Sequence, residues 1–170
     1  MGPGHFGIGF AAKSVAPKAP LWVLLSASEI YDLLFFILWA VGIEKKGIDT
    51  TDFTQGLQIV KPGYIPWSHG LFMCLIWAFA AAVIAFLFYR DRRTSIAIGL
   101  IVFSHWALDF IVHPGLPIWF NSLPLVGLSL WTSGPGYMIA IVLEFMLLIA
   151  GIVIYVLARK RKLNQFTASK

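Results

Sequence analysis

Charge is scarce in this chain. Asp, Glu, Lys and Arg make up 12% of its 170 residues, about half the ~25% usual for a soluble domain. Cysteine is scarcer still: Cys74 stands alone inside an apolar run, which excludes an intrachain disulfide. No internal repeat or low-complexity tract is evident. Gly2, Gly4, Gly7 and Gly9 make a glycine-rich start, but no Gly-Lys-Ser/Thr follows and no strand pattern precedes, so a phosphate-cradling loop is a poor reading. From Pro114 to Pro135 there is no charged side chain.

What fills the chain instead is apolar surface. Hydrophobic residues reach 59% and the mean hydropathy is +0.81. A chain of this size cannot hide so much apolar surface in one core, so its solvent is the lipid bilayer. The expected fold class is all-α: an integral membrane bundle of about four transmembrane helices, one domain over residues 1–170, with no room for a separate soluble unit. Four stretches approach the ~20 apolar residues that cross ~30 Å of hydrocarbon; they lie near Leu21–Ile43, Ser68–Tyr89, Thr94–His113 and Gly136–Ala158. Trp22, Trp67, Tyr89, Tyr137 and Tyr155 fall close to their ends, as interfacial anchors do. Residues 1–20 do not read as a secretory signal, because their lysines follow the apolar residues and the next apolar segment holds Glu29 and Asp32. His5 to Ala16 fits a short helix, interfacial or dipping partway into the membrane.

The net charge of +5 does not indicate nucleic acid, since the lysines and arginines cluster beside apolar segments. Lys13 and Lys18 precede the first span, Arg90, Arg92 and Arg93 separate the second and third, and Arg159 to Lys162 begin a basic tail over residues 159–170. Lys45, Lys46 and Lys61 run against this pattern, although Glu44, Asp49 and Asp52 make their loop neutral. The best fit to the positive-inside rule puts both termini in the cytoplasm of a cell that carries the protein in its inner membrane.

Five ionisable residues stand inside the spans: Glu29, Asp32, His105, Asp109 and Glu144. Each acid near a helix centre opposes insertion by about 2.5–3.5 kcal/mol, together on the order of 10 kcal/mol unless they are paired, protonated or metal-bound. His105 and Asp109 are four apart and share one helix face, which His113 continues; Glu29 and Asp32, three apart, share another. His69 lies at the start of the second span and His5 in the N-terminal segment. Imidazole nitrogen with carboxylate oxygen is the ligand set of zinc and other divalent ions. The alternative for His105 and Asp109 is a hydrogen-bonded pair stitching helices together. His69 is otherwise an interfacial histidine, His5 part of a mobile terminus, and His113 a helix-end residue. Glu144 is either a partner orienting a histidine or a hydrogen-bonded acid. Ser68 and Ser104 adjoin histidines and are expected to point away from them on a helix, so no Ser-His-Asp triad is expected.

These motifs resemble the YdjM-like family of LexA-binding, inner-membrane-associated metal-dependent hydrolases, and still more a group of small bacterial and archaeal membrane proteins. Those chains open with Gly-His, carry an acidic motif at the next helix, then Ser/Thr-His-Ser, then Ser-His-x-x-x-Asp. The matching positions are Gly4-His5, Glu29 to Asp32, Ser68-His69, and Ser104-His105 through Asp109, in the same order over about two thirds of the chain. The usual Pro-Asp-x-Asp is Glu-Ile-Tyr-Asp here, so only Asp32 transfers, and Gly70 replaces the serine after His69. The resemblance implies a divalent metal, zinc foremost, on His5, Asp32, His69, His105 and Asp109. Glu29 or His113 would shuttle the proton of a hydrolysis on a lipid phosphoester or other interfacial substrate. LexA binding has no support in these residues. The reading from a different class is a non-enzymatic bundle that conducts protons or metal ions, or serves as an accessory subunit.

Overall fold

The computed structural model describes residues 2–45, 48–52, 57–61, 63–120, 124–132 and 134–168, with backbone alone for 48–52, 57–61, 166 and 168. The fold is the expected all-α membrane bundle. In chain order come α1 (Gly4–Ala12), α2 (Leu21–Ser28) and α3 (Ile30–Ala40), a hairpin of β1 (Ile48–Asp52) and β2 (Leu57–Lys61), and then α4 (Leu71–Tyr89) and α5 (Arg92–Val112). A two-residue ribbon follows, β3 (Leu116–Pro117) against β4 (Leu125–Val126), then a 3₁₀ turn over Leu130–Thr132, and α6 (Gly134–Ala168) closes the chain. Three helices are long and apolar enough to cross a membrane, or four if α2 and α3 count together as one broken span.

Helix α5 is the centre. Half of its apolar window is buried inside the protein, against 17% for α4 and α6, whose outer faces are left for lipid. It pairs with α4 through a tight turn in which Arg90 takes a left-handed conformation (φ 49°) and Asp91 caps α5 by accepting from the Thr94 N–H at 2.9 Å. Thr94, and after it the Lys18 ammonium 3.2 Å away, hold the Asp91 carboxyl down to about 2, so this cap stays charged through the neutral range.

The first expected span is two helices bent by 56° about Glu29. Ser26 and Ser28 both lie in the last turn of α2, and the Ser28 hydroxyl bonds back to the Leu25 carbonyl at 2.8 Å, a contact that competes with the helical ladder. Asp32 thereby falls in the first turn of α3, where unpaired N–H groups favour a negative charge.

Helix α1 packs inside the bundle, flush against α6. A Cβ on Gly7 would overlap the Leu147 carbonyl oxygen, and one on Gly151 would overlap the Gly7 carbonyl, so only glycine permits the two backbones to come this close. This is the packing reason for the glycine-rich start. Glu144 fastens the same end, its Oε2 accepting from the Gly2 N–H at 2.9 Å.

Lys13, Arg159 and Lys162 gather at one end, where they line a cavity with Tyr155 and Ala158, while Lys45 pairs with Tyr64 at the other. The core nearest the first three is mainly apolar, with Ala12, Ala16, Ala19, Leu24, Ala85, Ile98 and Ile101 beside the buried hydroxyls of Thr94 and Ser95. At the opposite end the charge-free connection folds back on the helices. Phe72 donates its N–H to Ile118 and Leu128 to Phe110, while Phe72 and Trp119 pack at 4.1 Å and Trp67 and Phe120 at 4.8 Å. Helix α6 continues without interruption through the basic tail.

Replacing Gly7 by Leu should lower stability by about 1–3 kcal/mol or detach α1 from α6. Replacing Gly134, whose added Cβ would meet open space, by Ala should leave it unchanged. Thermal unfolding in detergent reads the difference.

Candidate metal centre

Five of the expected residues meet at the end of the bundle opposite Lys13, Arg159 and Lys162, ~20 Å along α5 from Arg92. His105 and Asp109 project from successive turns of α5, Asp32 from the first turn of α3, and His5 from the first turn of α1. His69 arrives from the turn ahead of α4 and not from within that helix. Pro66 and the extended backbone of Gly70 (φ −72°, ψ 132°) keep the Pro66–His69 segment out of it.

The distances form a ring in which nitrogen alternates with oxygen. His69 Nε2 lies 3.4 Å from Asp32 Oδ1 and 3.5 Å from Asp109 Oδ2, and His105 Nε2 lies 3.6 and 3.4 Å from the same two oxygens. Charge-assisted N–H···O bonds are shorter, ~2.7–2.9 Å. Ligands held at ~2.0–2.2 Å by a tetrahedral ion stand ~3.3–3.6 Å apart, which is the spacing seen.

Hydrogen bonds on the far sides of the rings determine what faces inward. His105 Nδ1 is 2.6 Å from the Ser28 carbonyl, which can only accept, so Nδ1 carries a proton and, in the neutral imidazole, Nε2 presents a lone pair. That Nε2 is buried without a hydrogen-bond partner. His69 Nδ1 is 2.7 Å from Ser68 Oγ, whose hydroxyl donates to Glu44 Oε2 at 2.6 Å, so His69 likewise donates outward. With both imidazoles neutral, two lone pairs and two carboxylate oxygens face one another, a set that fits a cation between its members; without one, a proton on either Nε2 serves the same carboxylates.

Ser68 thus contacts His69, contrary to expectation, because neither residue is helical. Glu44 reads in the sequence as a loop charge balanced by lysines, yet it is buried and also accepts the N–H groups of Trp67 and Ser68, both at 2.8 Å on Oε1. It anchors the turn that aims His69. The Trp106 indole, one residue past His105, donates to the His69 carbonyl at 3.0 Å and ties the same turn to α5. Tyr31, held by a hydroxyl bond to the Cys74 carbonyl at 2.5 Å, walls the ring edge-on to both histidines, and Phe35 stands edge-on to His69.

His5 is fully buried and stacks on His105 with centroids 3.7 Å apart and planes 4° from parallel. Its Nε2 is 3.4 Å from Asp109 Oδ1, and His113 Nε2 is 3.6 Å from the same oxygen. Two sets of side chains here can hold a metal ion: Asp32, His69 and His105, and His5, His105 and Asp109. Glu29 lies outside both sets; its Oε1 is buried without a hydrogen-bond partner, and it interacts electrostatically with His105, Asp32 and Asp109. Glu144 accepts from Gly2 and so acts as a hydrogen-bonded acid that holds the chain just ahead of His5. The ring opens outward through Asp32 and His113, whose side chains are 38% and 34% exposed, while the other ligand groups are buried.

Compared with protein-family models, with curated proteins and with solved structures, the chain matches none.

Ser68→Ala removes the acceptor that fixes the His69 tautomer. Affinity for a divalent ion should fall about 10–100-fold, the usual effect of losing a hydrogen bond behind a ligating histidine, with the helical content unchanged. Zinc competition against a chromophoric chelator measures it, and equal affinity would separate Ser68 from the site.

Proposed function

We propose that the protein is a membrane-embedded, metal-dependent hydrolase that holds zinc through Asp32, His69, His105 and Asp109. The observation that carries this reading is the ring itself: two outward-tethered imidazoles whose Nε2 atoms each stand 3.4–3.6 Å from oxygens of both Asp32 and Asp109. A mixed nitrogen and oxygen set of four suits zinc better than magnesium or calcium, which favour oxygen alone. Such an ion supplies Lewis acidity, making water acidic near neutral pH and polarising the oxygen of a scissile ester.

The chain's own residues supply the rest. Tyr31 and Phe35 make one wall apolar, which strengthens electrostatic interactions within the site. Glu29, with its partnerless buried oxygen, and His113, at the open edge, are the groups placed to accept and return a proton. The resemblance of the Gly-His, Ser-His and Ser-His-x-x-x-Asp motifs to YdjM-like chains supports the same chemistry. The positive-inside pattern assigns the basic end to the cytoplasm of an inner-membrane protein, so the opening faces the outer leaflet. A lipid phosphoester, whose headgroup lies at that depth, is the substrate class that suits the position.

The ion-conducting alternative needs polar groups through the full thickness of the bundle. The mainly apolar core between the ring and the basic end weighs against it.

Reconstituted protein should release headgroup from phospholipid vesicles, lose that activity to a membrane-permeant chelator and regain it with zinc. Asp32→Asn should cut turnover by at least about 10²-fold. Zinc-loaded protein that hydrolyses no phosphoester, yet passes ions across vesicles in an Asp32-dependent way, would transfer the assignment to the alternative.

A further inference from the structure

The ring accounts for only one oxygen of Asp109. Its other oxygen, Oδ1, faces two further imidazoles, His5 Nε2 at 3.4 Å and His113 Nε2 at 3.6 Å. Both distances exceed a charge-assisted hydrogen bond and match the spacing of ligands around one tetrahedral ion. His5 is 1% exposed, and among the described residues neither of its ring nitrogens has a hydrogen-bond partner. A buried imidazole left so opposes folding unless a further group satisfies it.

The stacking supplies a second, independent measure. His5 and His105 lie parallel with centroids 3.7 Å apart, and each points its Nε2 at a different oxygen of the same carboxylate. Two ions, one held in the plane of each ring, stand apart by about the spacing of those planes or more. That spacing is the ~3.5–4 Å of two-metal hydrolytic sites, in which one ion serves the attacking and the other the leaving oxygen. We infer that the centre is dinuclear, with Asp109 bridging an inner divalent cation on Asp32, His69 and His105 to an outer one on His5 and His113. This rests on the proposed zinc site and deepens it, and with His113 Nε2 on the outer cation the proton falls to Glu29. The outer cation stands at the half-exposed edge, where His113 meets the Trp131 ring at 4.6 Å, and keeps positions free for the oxygens of a phosphoester. A phosphoester is the substrate whose paired oxygens two ions can clamp. The close packing of α1 on α6 then has a chemical purpose, since it carries His5 to the second position.

The test is metal stoichiometry in the full-length protein, purified from membranes and loaded with zinc, together with the electron paramagnetic resonance spectrum of the manganese-loaded form. Two zinc ions per chain and a spin-coupled manganese pair are expected. His113→Ala, at a partly exposed position, should reduce the count to one and leave an uncoupled manganese signal; His5→Ala should do the same. His69→Ala should lose the inner ion. One zinc per chain in the wild type, unchanged by His113→Ala and His5→Ala, would overturn the second site and leave the first standing. A metal-free wild-type chain would overturn both.

Discussion

Two hydrogen bonds on the outer edges of His69 and His105 govern the whole centre. One runs to the Ser28 carbonyl and the other to Ser68, itself bonded to Glu44. Each places a ring proton on Nδ1 and, in the neutral imidazole, turns Nε2, as an acceptor, toward Asp32 and Asp109. Carboxylate oxygens and imidazole lone pairs then occupy one small space, and their mutual repulsion in a medium of low dielectric is far larger than in water. A positive charge among them reverses that sign. The same charge removes the penalty that the two acids would otherwise impose on membrane insertion.

Much of the architecture serves that convergence. The break at Glu29 ends α2 at the residue whose carbonyl His105 uses, and starts α3 so that Asp32 sits in its first turn. The turn ahead of α4 is held from two directions, by Glu44 on its backbone amides and by Trp106 on the His69 carbonyl. Helix α1 reaches the centre only because Gly7 and Gly151 let it lie against α6. Toward the basic end the helices pack through alanines with Leu24, Ile98 and Ile101.

The bundle was legible in the sequence because long apolar runs, basic clusters and terminal aromatics are local signals. His105, Asp109 and Asp32 were legible for an energetic reason: an acid or imidazole in such a run needs a partner. The other features depended on contacts between distant segments. The kink at Glu29 carries no proline or glycine, and its cause lies in serine side chains competing with the helical ladder. Glu44 looked like one more loop charge beside Lys45, since nothing local marks an acid that will fold under Trp67 and Ser68. Ser68 was read on a helix that begins only after Gly70, and that shift of a few residues reversed its orientation toward His69. The hairpin of β1 and β2 falls between the expected first and second spans, where Ile, Thr and Val are frequent.

X-ray absorption at the zinc edge, on protein purified without chelators, tests the central claim most directly. The account predicts about four nitrogen and oxygen ligands at ~2.0–2.1 Å, with the outer-shell scattering of at least two imidazoles per ion. A spectrum showing an ion surrounded by oxygen alone, or no bound metal in a folded chain, would contradict it.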